Sequence, residues 1–289
     1  MAKKRIVVTG VSGQLGSELE SLWRDAEHFD VVYLRRVDLD LANPERISSR
    51  LANYAPDYIV HAAAYTAVDK AESEPELADA VNHLSAVEIA KYAAQHGAKL
   101  VSISTDYVFA GDQDFPLDEQ QDTAPINVYG ETKRQGELGI LNVCPEAIII
   151  RTSWVYSTFG KNFVKTMLHL MTTRDEISVV SDQIGSPTYA RDLAVLIDHI
   201  IDKGPWIGGI YHYSNEGQCS WHEFAIAIRD LSGLTCQVHA IPTSAFPTAA
   251  KRPHYSLLSK EKIKETFHVA VPQWKDSLKE MLLKLEKNI

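Results

Sequence analysis

Residues 5–16 read Arg-Ile-Val-Val-Thr-Gly-Val-Ser-Gly-Gln-Leu-Gly. The β-branched run from Arg5 to Thr9 predicts a short buried strand. Three glycines follow at once, Gly10, Gly13 and Gly16, spaced Gly-x-x-Gly-x-x-Gly. Leu15, Leu19, Leu22 and Trp23 then fall at helical spacing. Strand, glycine loop and helix in that order suit a pyrophosphate. The glycines permit a tight turn and a close backbone approach, and the helix N-terminus offers free N–H groups at a positive dipole end. Gly10, Ser12, Gly13, Gln14, Leu15 and Gly16 are therefore expected to contact a dinucleotide. A glycine triplet alone is weak; its place between a first strand and an amphipathic helix gives it weight.

Working outward, Val31 to Leu34 predicts a second strand. Folds that bind NAD usually place an acidic residue at its end for the ribose 2′-hydroxyl. Here Arg35-Arg36 stands there. A guanidinium suits a 2′-phosphate and favours NADPH, with NADH as a second candidate; the alternative is that both arginines are solvated loop charges. Val37 to Leu41 is expected to form a short third strand, with Asp40 and Leu41 near the adenine. Pro44, at a first helical position, starts a helix through Tyr54.

Asp57 to His61 predicts another buried strand, followed by Ala62-Ala63-Ala64-Tyr65. Small residues at the carboxyl end of a parallel strand let a cofactor lie against the backbone. Tight helix-on-strand packing explains any single alanine nearly as well. Glu76 to His96 carries one long helical pattern. Lys99 to Ser104 is the next strand, with Thr105-Asp106-Tyr107 at its end, and Ala147 to Thr152 another. Alternation of strand and helix from residue 5 to about 152 predicts an α/β fold, a Rossmann-like doubly wound parallel sheet.

Tyr129 and Lys133 lie between the last two of these strands. Four residues apart on a helix, they share one face. A nearby cation stabilises a phenolate, so Lys133 is expected to lower the Tyr129 pKa and make it a proton donor. With 12 tyrosines in the chain, one such pair arises readily by chance. Its meaning depends on the glycine loop and on Thr105, which chain order puts on the same edge of the sheet.

After Thr152 the alternation lapses. Helices are expected over 162–171, 192–201, 221–231 and 276–287, with strands at 177–180 and 209–213. The last helix aligns Leu278, Met281, Leu282 and Leu285, a stripe for docking on a core. Residues 1–152, with returning segments of the later chain, are expected to form the NADP-binding domain. Residues 153–289 form mainly a smaller, non-contiguous α+β substrate-binding lobe.

Composition narrows the function classes. The 289 residues are 45% hydrophobic, enough for a sizeable core, and carry a net charge of −9. That argues against nucleic acid or an anionic membrane as the main partner. Cys144, Cys219 and Cys236 are odd in number and far apart, which supports neither a disulfide framework nor a zinc site. Met-Ala-Lys-Lys-Arg is charged like the start of a leader, yet the apolar run after it breaks at a glycine. A cytoplasmic protein is expected, monomeric or homodimeric.

Six blocks sharpen this reading: residues 60–74 (VHAAAYTAVDKAESE), 104–109 (STDYVF), 127–133 (NVYGETK), 151–156 (RTSWVY), 162–167 (NFVKTM) and 182–188 (DQIGSPT). In this order they resemble the dTDP-4-dehydrorhamnose reductase family, within the extended short-chain dehydrogenase/reductase superfamily. The resemblance covers the whole chain. It implies reduction of the 4-keto group of a dTDP-sugar, the last step in making dTDP-L-rhamnose. Thr105, Tyr129 and Lys133 would be the catalytic residues, with Tyr129 and Lys133 also touching the cofactor. It also implies that Thr105, Asp106 and Trp154 contact the sugar. Asn162, Lys251 and Arg252 are expected at the nucleotide or diphosphate.

Other activities fit less well. A sugar 4,6-dehydratase needs an acid–base carboxyl pair, typically Asp-Glu after the threonine; here Asp106 is followed by Tyr107. An epimerase-reductase needs further acid–base groups, often Cys and His, and no cysteine lies near Thr105 or Tyr129. Some family members bind Mg²⁺ through glutamates at a dimer interface. In this chain Arg191 stands where one such glutamate is expected, so no metal is predicted. Two alternatives remain: a non-catalytic NADP-binding regulatory subunit on the same fold, and a reductase of a different nucleotide-4-keto-sugar.

Overall fold

The computed structural model describes residues 3–287. Met1 and Ala2, at the start of the charged N-terminus, and Asn288 and Ile289, at the end of the predicted lobe, lie outside the described residues.

Strand β1 (Lys4–Thr9) leads through the glycine loop into helix α1 (Gln14–Trp23) and strand β2 (Phe29–Leu34). Next come α2 (Ile47–Ala52), β3 (Tyr58–His61), α3 (Val68–Ala71), α4 (Pro75–Asp79) and α5 (Ser85–His96). Then follow β4 (Lys99–Thr105), α6 (Val128–Val143) and β5 (Ile148–Thr152). The later chain comprises β6 (Val155–Tyr156), α7 (Phe163–Thr173), β7 (Glu176–Val180), β8 (Ile184–Gly185), β9 (Thr188–Tyr189) and α8 (Ala190–Asp202). It closes with β10 (Gly209–His212), β11 (Cys219–Ser220), α9 (Trp221–Leu231), β12 (Gln237–Ile241), α10 (Glu261–Phe267) and α11 (Trp274–Glu286).

Six strands form one parallel sheet in the order β10-β5-β4-β3-β1-β2. The chain reverses direction across the sheet between β1 and β3. The crevice outside the carboxyl ends of those strands is where such sheets bind ligands. Register aligns those ends: Thr9 lies opposite Leu34 and His61, and Thr105 opposite Thr152. Both faces are covered, so the central strands need apolar residues at every position. Ile6 and Val8 join a core with Leu19 and the α8 residues Leu193 and Ile197. Val7 points the other way, into a core with Ile89 of α5 and Ile140 of α6.

The later chain divides its elements. Helix α8 packs on α1, and β10 extends the sheet beyond β5. A third core gathers Tyr156, Val164, Phe224, Trp274 and Met281 from α7, α9, α11 and the short strands. Leu278, Met281 and Leu282 of α11 are buried there, as their stripe predicts. Among the described residues no helix is long and apolar enough to cross a membrane.

Three local expectations fail. Residues 37–41 form turns instead of a third strand. The Asp38 carboxylate accepts from the Arg35 N–H at 2.9 Å, and Asp40 accepts from Ala42 N–H at 3.1 Å. Such local bonds compete with strand pairing. The helix expected from Pro44 is a 3₁₀ turn, Pro44–Arg46, running into the short α2. The single helix expected over 76–96 is broken by a π-helical turn, Ala80–Leu84. Inside it, the Asn82 side chain accepts from Tyr65 N–H at 2.8 Å. It also donates to the Tyr65 carbonyl and to the Thr132 hydroxyl, each at 3.2 Å.

Candidate active site

The glycine loop is built for close approach. Gly10 has φ +75°, and a Cβ there would stand 2.6 Å from the backbone nitrogen of Ala63. A Cβ on Gly16 would meet the Gly10 carbonyl oxygen at 2.3 Å. Any side chain at either position would force the loop away from β3 or from α1. Helix α1 begins at Gly13 with no side-chain cap, so its first N–H groups remain available to an anion. The residues present therefore fit a dinucleotide pyrophosphate.

A cavity of about 780 Å³ runs from this loop across the carboxyl ends of the strands. It brings together Gly10, Ser12, Gly13, Gln14, Leu15, Arg35, Arg36, Asp40, Leu41, Ala62, Ala63, Ala64 and Tyr65. Thr105, Asp106, Tyr129, Lys133, Trp154 and Asn162 line it as well. Gly16 packs behind the loop. The expected second substrate pair does not reach the wall. Arg252 is forked onto Asp69 at 2.7 and 3.1 Å. Lys251 is exposed, and its carbonyl accepts from the Asn127 side chain at 2.8 Å.

The two arginines part company. Arg36 is paired with Asp40 at 3.3 Å, whereas Arg35 makes no ion pair among the described residues. Asp40 is engaged in its own turn, accepting from Ala42 N–H and from the Asn43 side chain.

The Asn127 side chain caps α6, accepting from Gly130 N–H at 2.7 Å, and so sets the helix that carries Tyr129 and Lys133. Buried Arg151 on β5 forks onto Glu137 of α6 at 2.9 and 2.7 Å, pinning the same helix to the sheet. Removing one partner of such a buried pair typically costs roughly 3–5 kcal/mol. The Lys133 ammonium donates to the Ile103 carbonyl at 2.7 Å. Burial lowers its pKa to about 8, with Glu137 opposing.

The expected lowering of the Tyr129 pKa is not found. Burial pushes that phenol up to about 12; the Thr105 hydroxyl pulls down and Asp106 pushes up again. Lys133 is not among the groups that shift it, since its ammonium is turned to the Ile103 carbonyl. Asp106 is almost fully buried, and its carboxyl is raised to about 7 by that burial, against the hydroxyls of Ser256 and Thr105. One carboxylate oxygen takes a bond from Thr105 at 3.2 Å; the other is buried without a partner.

At the far end, Trp154 adopts φ +47°, a strained backbone for a bulky residue. Its ring stacks on Trp221, centroids 3.7 Å apart and planes 11° from parallel. Trp221, Ser256, Lys161 and Asn82 were not foreseen. Ser220 and Glu223 form a capping box that marks the start of α9 in the sequence. No signal in the chain says that the next residue, Trp221, faces a cavity.

Among the described residues no cluster of three or more His, Cys, Asp or Glu side chains is placed to hold a metal. Arg191 is close enough to Glu18 to lower its pKa, although burial, the larger effect, raises it.

The parallel sheet, the uncapped glycine loop and the Thr-Tyr-Lys group on one cavity define a dinucleotide-dependent oxidoreductase of the extended short-chain type. The family model described as the RmlD substrate binding domain matches residues 4–287, and the chain belongs to that family. It is 42% identical to the dTDP-4-dehydrorhamnose reductase of Salmonella typhimurium over 97% of both chains. It is 41% identical to the spore coat polysaccharide biosynthesis protein SpsK of Bacillus subtilis over 96% of both. The crystal structure of dTDP-4-dehydrorhamnose reductase from Bacillus anthracis in complex with NADP superposes with a TM-score of 0.93, at 40% identity. That match covers 98% of this chain and 99% of the other.

Proposed function

We propose that the chain reduces the 4-keto group of dTDP-4-dehydro-L-rhamnose to dTDP-L-rhamnose with NADPH. The observation that carries this reading is the gathering of Thr105, Tyr129 and Lys133 on a cavity continuous with the glycine loop. The relatives' names supply the substrate. The sheet with its helices would hold the dinucleotide, and the elements around the third core would hold the sugar nucleotide. The glycine loop and the first turn of α1 would take the pyrophosphate, Arg35 the 2′-phosphate, and Ala62 to Tyr65 the middle of the dinucleotide. When bound, the dihydronicotinamide supplies the hydride.

The chain's own part is to place the carbonyl and to supply a proton. Thr105 would turn its hydroxyl from Asp106 to the carbonyl oxygen and hold it beside Tyr129. The phenol then hands its proton to the alkoxide that forms there. A high pKa suits this direction. Tyr129 stays protonated at neutral pH, and an alkoxide is a far stronger base than a phenolate, so the transfer is downhill. The Lys133 ammonium, fixed by Ile103, would add a positive charge to the cavity on the side where the dinucleotide lies.

The test is an assay of the purified chain with dTDP-4-dehydrorhamnose, following NADPH absorbance and identifying the sugar formed. Turnover to dTDP-L-rhamnose is expected. No NADPH consumption would sink the reading in favour of a regulatory nucleotide binder.

A further inference from the structure

Gln14 opens α1 directly after the glycine loop, yet its side chain is turned to the other half of the molecule. Its amide nitrogen donates to the Val155 carbonyl at 3.1 Å, and its amide oxygen accepts from the Asn162 side chain at 3.0 Å. One turn further along α1, buried Glu18 accepts from the Ser157 hydroxyl; that hydroxyl accepts from Phe159 N–H at 3.0 Å. The Asn162 amide also donates to the Ser157 carbonyl at 2.7 Å. Gly160, at φ +64°, lies so close that a Cβ there would stand 3.3 Å from Cγ of Gln14. Residues i and i+4 of one helix face thus fasten segment 155–162 at two levels.

Both ends of that segment lead to the same place. Val155 follows Trp154. Asn162 caps α7 by accepting from Lys165 N–H at 3.1 Å, and Phe163, next in the chain, packs on Trp221 with centroids 4.6 Å apart. Trp221 backs Trp154. The polar clamp on α1 is therefore continuous with the aromatic wall at the far end of the cavity.

We infer that Gln14 is a positioning residue that couples the two binding steps, transmitting the ordering of the dinucleotide loop to the Trp154–Trp221 wall that receives the sugar nucleotide. The inference rests on the proposed function for the identity of the two ligands. A ligand that orders the loop also orders segment 155–162 through Gln14, so a second ligand on that segment has less freedom left to remove. Coupling of this kind is reciprocal and amounts to roughly 5–150-fold in affinity.

The experiment measures the Kd of dTDP by calorimetry with and without saturating NADP⁺. It compares the wild type with Gln14→Leu, with Asn162→Ser, and with the double variant. Serine still caps α7 but is too short to reach Gln14. In the wild type NADP⁺ is expected to tighten dTDP at least about five-fold. The ratio should fall toward one in each single variant and no further in the double. A second readout uses NADP⁺ alone: it should slow amide exchange across 157–163 in the wild type and not in Gln14→Leu. A wild-type chain that fails to bind dTDP would overturn the proposed substrate, and the exchange data then decide the clamp. A coupling ratio or an exchange pattern that survives Gln14→Leu unchanged overturns the inference.

Discussion

The Lys133 ammonium is held by the carbonyl oxygen of Ile103, 2.7 Å away and two residues before Thr105. The sheet edge that presents Thr105 thus also fixes the cation, and burial there brings its pKa down to about 8. Below that pH Lys133 is charged; above it the positive charge it brings to the cavity is lost. Tyr129, near 12, keeps its proton throughout. The kcat/KM for the keto-sugar is therefore expected to fall as pH rises through about 8, and Lys133→Met should lower it by about 10² or more at pH 7. Folding disfavours the charged form of this lysine, so the variant's Tm at pH 7 should not drop below wild type. A flat profile from pH 7 to 10 would show that Lys133 does not carry the alkaline limb.

Tyr129→Phe removes the proposed proton donor and little else, because the ring keeps its edge-on contact with Tyr107 at 5.7 Å. A loss of about 10² or more in kcat is expected, with NADPH binding by fluorescence titration kept within a few-fold of wild type. Full turnover in this variant would move the proton to another group.

Arg35 and Arg36 do not contribute equally. Arg36 is paired with Asp40 across the turn after β2, whereas Arg35 lines the cavity without an ion pair among the described residues. Arg35→Ala is therefore expected to lower the NADPH over NADH preference, measured as a ratio of kcat/KM values, by about ten-fold, roughly the loss of one charge-assisted phosphate bond. Arg36→Ala should change it less. Equal ratios in both variants and the wild type would make these arginines surface charge.

The sheet was legible because burial on both faces forces uninterrupted apolar runs, as in Ile6–Val8 and Ile148–Ile150. That Thr105, Tyr129 and Lys133 share one cavity was legible because Thr105 ends a parallel strand, where such sheets bind ligands, and i,i+4 spacing puts Tyr129 and Lys133 on one face of α6. Contacts made by polar side chains across long sequence separations were not. Nothing local announces that Asn82 bonds both Tyr65 and Thr132 and opens a π turn. Strand β12 was missed because its residues are mostly exposed; it is defined by pairing with β7, more than fifty residues earlier. Asp38 and Asp40 turned an apparent strand into turns by bonding their own backbone. The Tyr129 pKa was misjudged for a related reason: i,i+4 spacing shows which residues share a face, and a distant carbonyl decided where the ammonium went.

Asp106 gives a prediction whose sign runs against the usual carboxylate. Its folded pKa of about 7 lies above the ordinary value of 3.8, because burial disfavours the charged form and the hydroxyls of Ser256 and Thr105 offset it only in part. In the unfolded chain the group ionises near 3.8; in the folded chain it holds its proton until about 7. Between those values the folded state binds more protons, so stability falls as pH rises. Its contribution is full below about 4 and lost by the time pH has passed through about 7. Asp106→Asn keeps the shape and carries no charge at any pH. Its Tm should exceed that of wild type at pH 8, and the gap should shrink as pH is lowered from 8 to 5. If Asp106 also touches the sugar, the same variant will raise KM more than it lowers kcat, because the amide can still accept one bond. A wild-type Tm advantage that grows between pH 5 and pH 8 would mean that Asp106 is ionised and paired in the folded protein.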